Sequence, residues 1–244
     1  SLTPSPSPKG RGGQANENHL REIRYDFFEK IRKRKKYNLI AVAHNRDDQA
    51  ETVLMRVLRG AGLQGLSSMK PKNNKIIRPL LSMSRKEILE YLKENKLKYQ
   101  TDITNKDTKI FRNKIRHCLI PYLEKNYNPN IKKSLADMAL VVAYDYDYLL
   151  ANTERMLKRI GATTNKKNKF IFSAEKIQKL HPAIRRQCLR QVIFQIRADL
   201  TDIETCHIEE IIKIIRSKKG KTQTIKFKGL KIEKKGDKVS VVKV

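Results

Sequence analysis

The sequence predicts an α/β fold: part of a parallel sheet with its flanking helices, followed by a mostly helical domain with a small C-terminal β element. Three patterns carry that expectation. Leu39-Ile40-Ala41-Val42-Ala43 is an unbroken apolar run of strand length, as in a parallel-sheet strand buried on both faces. Helical periodicities stand directly before and after it, and helix, buried strand, helix is the α/β arrangement. Beyond residue 127 the apolar residues recur at helical spacing until a tail that alternates like strands.

The elements follow in order. Ser1 to Gly13 is rich in Pro, Ser and Gly and has too few apolar residues to pack, so residues 1–17 are expected to be disordered. This tract has no signal-peptide apolar core. Leu20, Ile23, Phe27 and Ile31 trace an apolar stripe on a first helix, which Arg32-Lys33-Arg34-Lys35-Lys36 ends where cations complement the helix dipole. After the Leu39–Ala43 strand, Asp48 and Glu51 have capping-box spacing, and Val53, Leu54, Val57 and Leu58 form the stripe of a second helix. Gly60 to Gly65 reads as a loop, Ile76 to Leu81 as a strand reaching a sheet edge, and Ser84 with Glu87 as a capping box. A polar loop, Thr101 to Asp107, precedes a helix from about Phe111. The turn residues Asn126 to Asn130 mark the domain boundary, giving domains 18–126 and 127–244. The second domain holds a long helix from Leu135 to Ile160, a helix opened by Pro182 with Ile184, Cys188, Ile193 and Ile196, and another through Ile208, Ile211, Ile212 and Ile215. Lys234-Lys235-Gly236-Asp237 is the expected hairpin turn.

Composition narrows the function. The 244 residues carry 54 Lys+Arg against 25 Asp+Glu, a net charge of +29, which attracts polyanions. Nucleic acid is the leading partner, through phosphate neutralisation and counterion release. No apolar run approaches the ~18 residues of a membrane span. Cys118, Cys188 and Cys206 form no CxxC pair, so neither a zinc ribbon nor a disulfide framework is supported, and reduced cytoplasmic thiols are expected. Cys118 and Cys188 sit on apolar stripes, as core cysteines do. His181 reads as a helix-entry residue and His207 as a helix residue without a partner.

The sharpest local signal is His44-Asn45-Arg46-Asp47-Asp48-Gln49-Ala50-Glu51-Thr52, where the strand gives way to a helix N-terminus. Ligands of open α/β sheets bind beyond the carboxyl ends of the strands, and helix N-termini favour phosphate. Adjacent carboxylates there can hold Mg2+ as it neutralises a triphosphate, and a His can position or deprotonate a nucleophile. The competing reading is that Asp47 and Asp48 only cap the helix.

The motif continues in Arg59-Gly60-Ala61-Gly62-Leu63-x-Gly65-Leu66, Arg78-Pro79-Leu80-Leu81, Asp102-Ile103-Thr104-Asn105 and Arg112-Asn113-x-Ile115-Arg116-x-x-Leu119-Ile120-Pro121-x-Leu123. In order and spacing, over about residues 19–126, these elements resemble the tRNA(Ile)-lysidine synthetases. The resemblance implies a PP-loop (adenine nucleotide α-hydrolase-like) domain, followed by a helical, tRNA-binding one. It implies ATP-dependent adenylation of the cytidine at the first anticodon position of a CAU-anticodon tRNA(Ile), then displacement of AMP by the ε-amine of free L-lysine. Carried across by motif, it makes His44, Asp48 and Arg116 catalytic, with Asp48 the Mg2+ ligand, and Asp47, Arg112 and Asn113 nucleotide-binding. A cytoplasmic enzyme, capable of forming a homodimer, is expected.

The family's Ser-Gly-Gly-x-Asp-Ser phosphate loop, which lies upstream of the His44 motif, does not occur in this sequence. The expectation is an N-terminally truncated chain that is inactive or nearly so alone. A non-catalytic basic RNA-binding protein that keeps a remnant of the fold is the rival reading. Gly60 to Gly65 satisfies G-x-G-x-x-G, but it follows a helix where a dinucleotide fingerprint must follow a strand. A thiolation relative would need paired cysteines. In the tail, residues 211–244 carry twelve Lys or Arg against two Asp or Glu. Lys218, Lys219, Lys221, Lys226 and Lys228, around Gly220, are the expected tRNA phosphate contacts.

Overall fold

The computed structural model describes residues 17–100, 110–164, 169–200 and 202–244. The Pro/Ser-rich start and the Thr101–Asp107 loop therefore lie outside the described residues. The chain forms two compact units, Ser1–Leu140 and Val141–Val244.

In the first unit, helix α1 (Glu17–Arg34) precedes strand β1 (Ile40–Ala41) and helix α2 (Arg46–Leu58). Helix α3 (Leu63–Leu66), strands β2 (Lys72–Asn73) and β3 (Ile76–Ile77) and helix α4 (Arg85–Glu94) follow. The small sheet has the order β1-β3-β2: β1 is parallel to β3 with Ile40 opposite Ile76, and β2 is antiparallel to β3. The expected Ile76 strand is therefore central, not an edge, because the short polar strand β2 pairs with it as a hairpin. The hairpin turn is Asn74-Lys75, with Asn74 at φ 52°. Nor is β1 buried on both faces. Among the described residues it is a sheet edge paired with β3, and Leu39, Ala41 and Ala43 are exposed.

The α1 stripe is corrected in the same way. Leu20, Ile23 and Phe27 are exposed and Ile31 is half-buried, whereas Tyr25 and Phe28, on a different face of the helix, are half-buried. In α2 the capping box is Asn45 with Asp48, one turn earlier than the Asp48–Glu51 pair. That frees Glu51 for the interior, where Ala50, Val53 and Met55 are also buried, while Val57 and Leu58 are exposed. The capping box of α4, Ser84 with Glu87, forms as expected.

After the undescribed loop, helix α5 (Phe111–Lys114) runs into a π-helical turn (Ile115–Leu119) and helix α6 (Ile120–Asn126). The turn has a local cause. Pro121 lacks the N–H that would bond the carbonyl of His117, and the Ile120 N–H reaches back to the Ile115 carbonyl instead. Ile115 and Ile120 pack with Met55 of α2 in a small core. The altered winding leaves Cys118 exposed, against the expectation of a core thiol.

Asn126 to Asn130 is the turn into helix α7 (Ile131–Arg159), within which the division between the units falls. The second unit then has strands β4 (Thr163–Thr164) and β5 (Phe170–Ser173) and helices α8 (Ala174–Gln178), α9 (Pro182–Arg197) and α10 (Thr205–Arg216). Strands β6 (Gln223–Phe227), β7 (Leu230–Lys235) and β8 (Lys238–Lys243) close it. The sheet is antiparallel, ordered β4-β5-β8-β7-β6, so the C-terminal β element also recruits two strands from before α8. Phe170, Phe172, Leu230, Ile232, Val239 and Val241 alternate onto one face and pack with Leu189 and Ile193 of α9 and Ile208, Ile211 and Ile215 of α10. His181 N-caps α9, as expected, accepting the Ala183 N–H. His207, expected to be unpartnered, accepts the Glu204 N–H at 3.0 Å and stacks on Phe227. Among the described residues no helix is long and apolar enough to cross a membrane.

Candidate active site

Every polar residue of the motif that opens α2 has a distinct job. Asn45 caps the helix by accepting the Asp48 N–H, and Asp48 Oδ2 accepts the Asn45 N–H in return, both at 3.0 Å. Asp48 Oδ1 is left to face the π turn, where it accepts from Arg116 at 3.1 Å and lies 3.7 Å from Arg112. One turn on, Glu51 is only 2% exposed, and its carboxylate accepts Arg112 Nε at 2.9 Å and two donors of Arg116 at 2.5 and 2.9 Å. Carboxylates at i, i+3 on α2 thus meet arginines at i, i+4 across α5 and the π turn, one residue row facing another. Burial lowers the Arg116 pKa. The hydrogen bond and charge of Glu51, with the charges of Asp48 and Asp47, outweigh it and raise the pKa overall.

Asp47 points elsewhere. It accepts the Arg85 N–H at the start of α4 and lies 3.3 Å from Lys132 Nζ, which also reaches Glu124 at 3.1 Å. Gln49 is a backbone clamp, donating to the Met69 carbonyl and accepting the Met69 N–H. Arg56 donates to the Gly65 carbonyl, and Arg59 lies over the Phe111 ring, which fixes the Gly60–Gly65 segment beside α2.

His44 occupies the carboxyl end of the β1 segment, where ligands bind in open α/β sheets. Its Nδ1 is buried without a hydrogen-bond partner. Burial lowers its pKa, Asp48 counteracts, and Arg78, Arg112 and Arg21 lower it further, so the imidazole is neutral near pH 7. Arg78, 6% exposed, holds the Lys70 carbonyl, while its Nε is unpartnered. A cleft of about 440 Å3 opens beside His44 and Arg112, with α1 as its opposite wall.

The structure therefore brings together Asp48, Arg112 and Arg116, sets His44 in their field, and turns Asp47 toward α4 and Lys132. Asn113 is buried within the same helical run. Sequence reasoning assigned Glu51 to a cap and missed it as the anchor of both arginines; the matching i, i+3 and i, i+4 spacings were the available signal. The residues present do not form a cage for Mg2+. Both Asp48 oxygens are engaged by protein donors, and among the described residues no group of three or more His, Cys, Asp or Glu side chains could hold a metal. The two carboxylates balance the two arginines, so the arrangement offers guanidinium donors held in fixed positions beside a neutral histidine rather than net positive charge.

In the second unit, Lys218, Lys219, Lys221, Lys226 and Lys228 are all exposed. The first three follow α10, Lys226 lies on the open face of β6, and Lys228 starts the two-residue turn into β7 with φ 45°. Lys231 stands directly across from Lys226. Lys231 is itself paired with Glu233 Oε1 at 2.8 Å, which leaves Lys226 the uncompensated cation of that pair.

Residues 8–123 match the PP-loop domain family. The chain is 38% identical over 203 residues to the tRNA(Ile)-lysidine synthase of Caldanaerobacter subterraneus subsp. tengcongensis, covering 83% of this chain and 43% of that protein. It is 34% identical over 218 residues to that of Clostridium tetani, covering 89% of this chain and 46% of the relative. A fainter structural likeness, at a TM-score of 0.41 and 24% identity, is to the U34-tRNA thiolase NcsA from Methanococcus maripaludis with its 4Fe-4S cluster; it covers 54% of this chain and 45% of that one. The chain spans less than half the length of these two synthases. Residues 8–123 thus match the PP-loop domain family, and more than four-fifths of the chain is similar to part of the curated tRNA(Ile)-lysidine synthases.

Proposed function

We propose that this chain is the later part of an ATP-dependent ligase that joins L-lysine to the first-anticodon-position cytidine of a CAU-anticodon tRNA(Ile) through an adenylated cytidine. One observation carries the reading: Asp48 and Glu51 hold Arg112 and Arg116 rigidly beside the cleft that also contains His44. Guanidinium groups fixed before the substrate arrives stabilise the charge that develops as pyrophosphate departs. The neutral His44 accepts a proton near the reacting atoms or orients them. Asp48 acts as an arginine anchor. Asp47 and Asn113 hold the surrounding helices in place for nucleotide binding.

The five exposed lysines of the second unit bind tRNA phosphates. Filter binding of a CAU-anticodon tRNA at several salt concentrations tests this part. Replacing the five with Ser weakens binding and flattens the slope of log K against log salt by about 0.7–0.9 for each phosphate no longer neutralised. An unchanged slope contradicts it. The complete reaction needs the Ser-Gly-Gly-x-Asp-Ser loop in addition to this chain. The proposed reaction takes place in the cytoplasm.

A further inference from the structure

Single exposed aromatic side chains are ordinary on a protein surface. Tyr122 and Tyr127 of the first unit are a pair. Their ring centroids lie 5.8 Å apart with the planes at 58°, and the two residues are 55% and 71% exposed. In the ring pairs Tyr25–Phe28, Phe27–Phe28 and His207–Phe227, by contrast, at least one ring is half-buried. The backbone holds both tyrosines outward. Tyr122 stands two residues beyond the buried Ile120, about 200° round α6, and so faces away from the small core. Asn126 Nδ2 donates to the Tyr122 carbonyl at 2.8 Å. Tyr127 follows α6 in a turn whose bonds are all local. Its N–H and that of Asn128 both donate to the Leu123 carbonyl, and the Asn128 side chain bonds the Asn130 N–H and Ser134 Oγ. Rings ordered in this way lose little freedom when a ligand lies on them.

Charge selects the ligand. Residues 110–136 carry six Lys or Arg against one Asp or Glu, and that one, Glu124, is engaged by Lys132 at 3.1 Å. Lys114 and Lys125 are exposed and form no ion pair among the described residues. The exposed Tyr144 and Tyr148 have the opposite setting, interleaved with Asp145 and Asp147. Aromatic faces in a cationic field suit a ligand with flat rings on an anionic backbone, which describes unpaired nucleotides.

We propose that Tyr122 and Tyr127 form a stacking platform for unpaired bases of an RNA loop. The identity of that RNA rests on the proposed function. With the target cytidine at Arg116, about 9 Å away along the helix axis, its loop neighbours come within reach of the pair. Every base has a π face, so the platform orients the loop and leaves the choice of target to the site around His44.

The test uses the full 244-residue chain with two RNAs, a CAU-anticodon stem-loop and a blunt duplex of equal length. Filter binding at several salt concentrations compares the parent with Y122A, Y127A, Y122F, Y127F and, as a control, Y148A. Each of Y122A and Y127A weakens stem-loop binding by about 5- to 100-fold. The slope of log K against log salt stays at the parent value, because no phosphate contact is lost. Duplex binding is unchanged, and the two Phe variants and Y148A bind the stem-loop like the parent. Parent-like stem-loop binding by both Ala variants overturns the proposal, as does a loss shared equally with the duplex or with Y148A. Both rings are exposed, so folding should tolerate the changes. A measurement on the unmodified chain covers the case in which it does not. With ring-13C-labelled tyrosine, the Tyr122 and Tyr127 resonances move upfield on titration with the stem-loop and stay in place with inorganic tripolyphosphate. No movement with the stem-loop also overturns the proposal. Upfield movement without lysidine formation would count against the ligase reading and support the platform.

Discussion

Glu51 is the residue whose environment departs most from what its chemistry would choose. A carboxylate 2% exposed is stable only because two guanidinium groups share it, and removing its charge strands both of them. Glu51→Gln is expected to lower stability by about 2–3 kcal/mol, below the range for fully buried pairs because each arginine keeps roughly a quarter of its surface. Urea unfolding checks it, and a loss under about 0.5 kcal/mol contradicts the pairing. His44 makes a pH prediction. Its folded pKa is lowered, so the unfolded chain binds a proton that the native imidazole refuses, and its contribution to stability is lost as pH falls through about 6.5. A proton–carbon NMR titration should place His44 below that value; a midpoint above it contradicts the buried, neutral assignment. Burial pushes the Cys188 thiol up to about 12, whereas Cys118 and Cys206 are exposed. A disulfide exchange reagent should therefore titrate two thiols in the native chain and three in urea. Three rapid reactions in the native state would contradict the buried thiol.

At the scale of elements, what sequence made legible was what local rules decide. Ser84 and Glu87 lie three apart before an apolar stripe, and the box they form needs nothing from the rest of the chain. The α9 and α10 stripes likewise found their core. The failures are elements whose environment is set from a distance. Leu39–Ala43 has the composition of a doubly covered strand, but coverage depends on which neighbours the sheet supplies, and here β1 has β3 on one side. The π turn escaped notice because its cause, Pro121, lies after it rather than within it. Within the site, the family resemblance picked out His44, Asp48, Arg112 and Arg116, whereas the partnership of Glu51 with both arginines joins residues more than sixty apart in the chain. One element-level contact can be tested alone. Lys234 Nζ donates to the carbonyls of Ile215 and Ser217, capping the C-terminal end of α10 from strand β7. Lys234→Met should cost about 1 kcal/mol in thermal or urea unfolding, while the exposed Lys238→Met should be near neutral. Equal effects would contradict the cap.

At the scale of the whole molecule, two kinds of positive charge coexist. In the first unit the arginines of α5 and the π turn are neutralised by the buried Glu51 and the half-buried Asp48 and so are held in position, as the proposed chemistry requires. In the second the lysines stand exposed on a strand face and its loops, suited to tracking phosphate without fixed geometry. A net charge of +29 suits both, but only the first kind specifies chemistry. The most direct test of the account is nucleoside mass spectrometry of a CAU-anticodon tRNA(Ile). The tRNA is incubated with ATP, Mg2+, L-lysine and the chain, alone or joined to a family N-terminal segment carrying the Ser-Gly-Gly-x-Asp-Ser loop. The account predicts lysidine in the digest from the joined protein, its loss on Arg116→Ala, and little or none from the chain alone. A joined protein that binds the tRNA and ATP yet leaves the cytidine unmodified would contradict it.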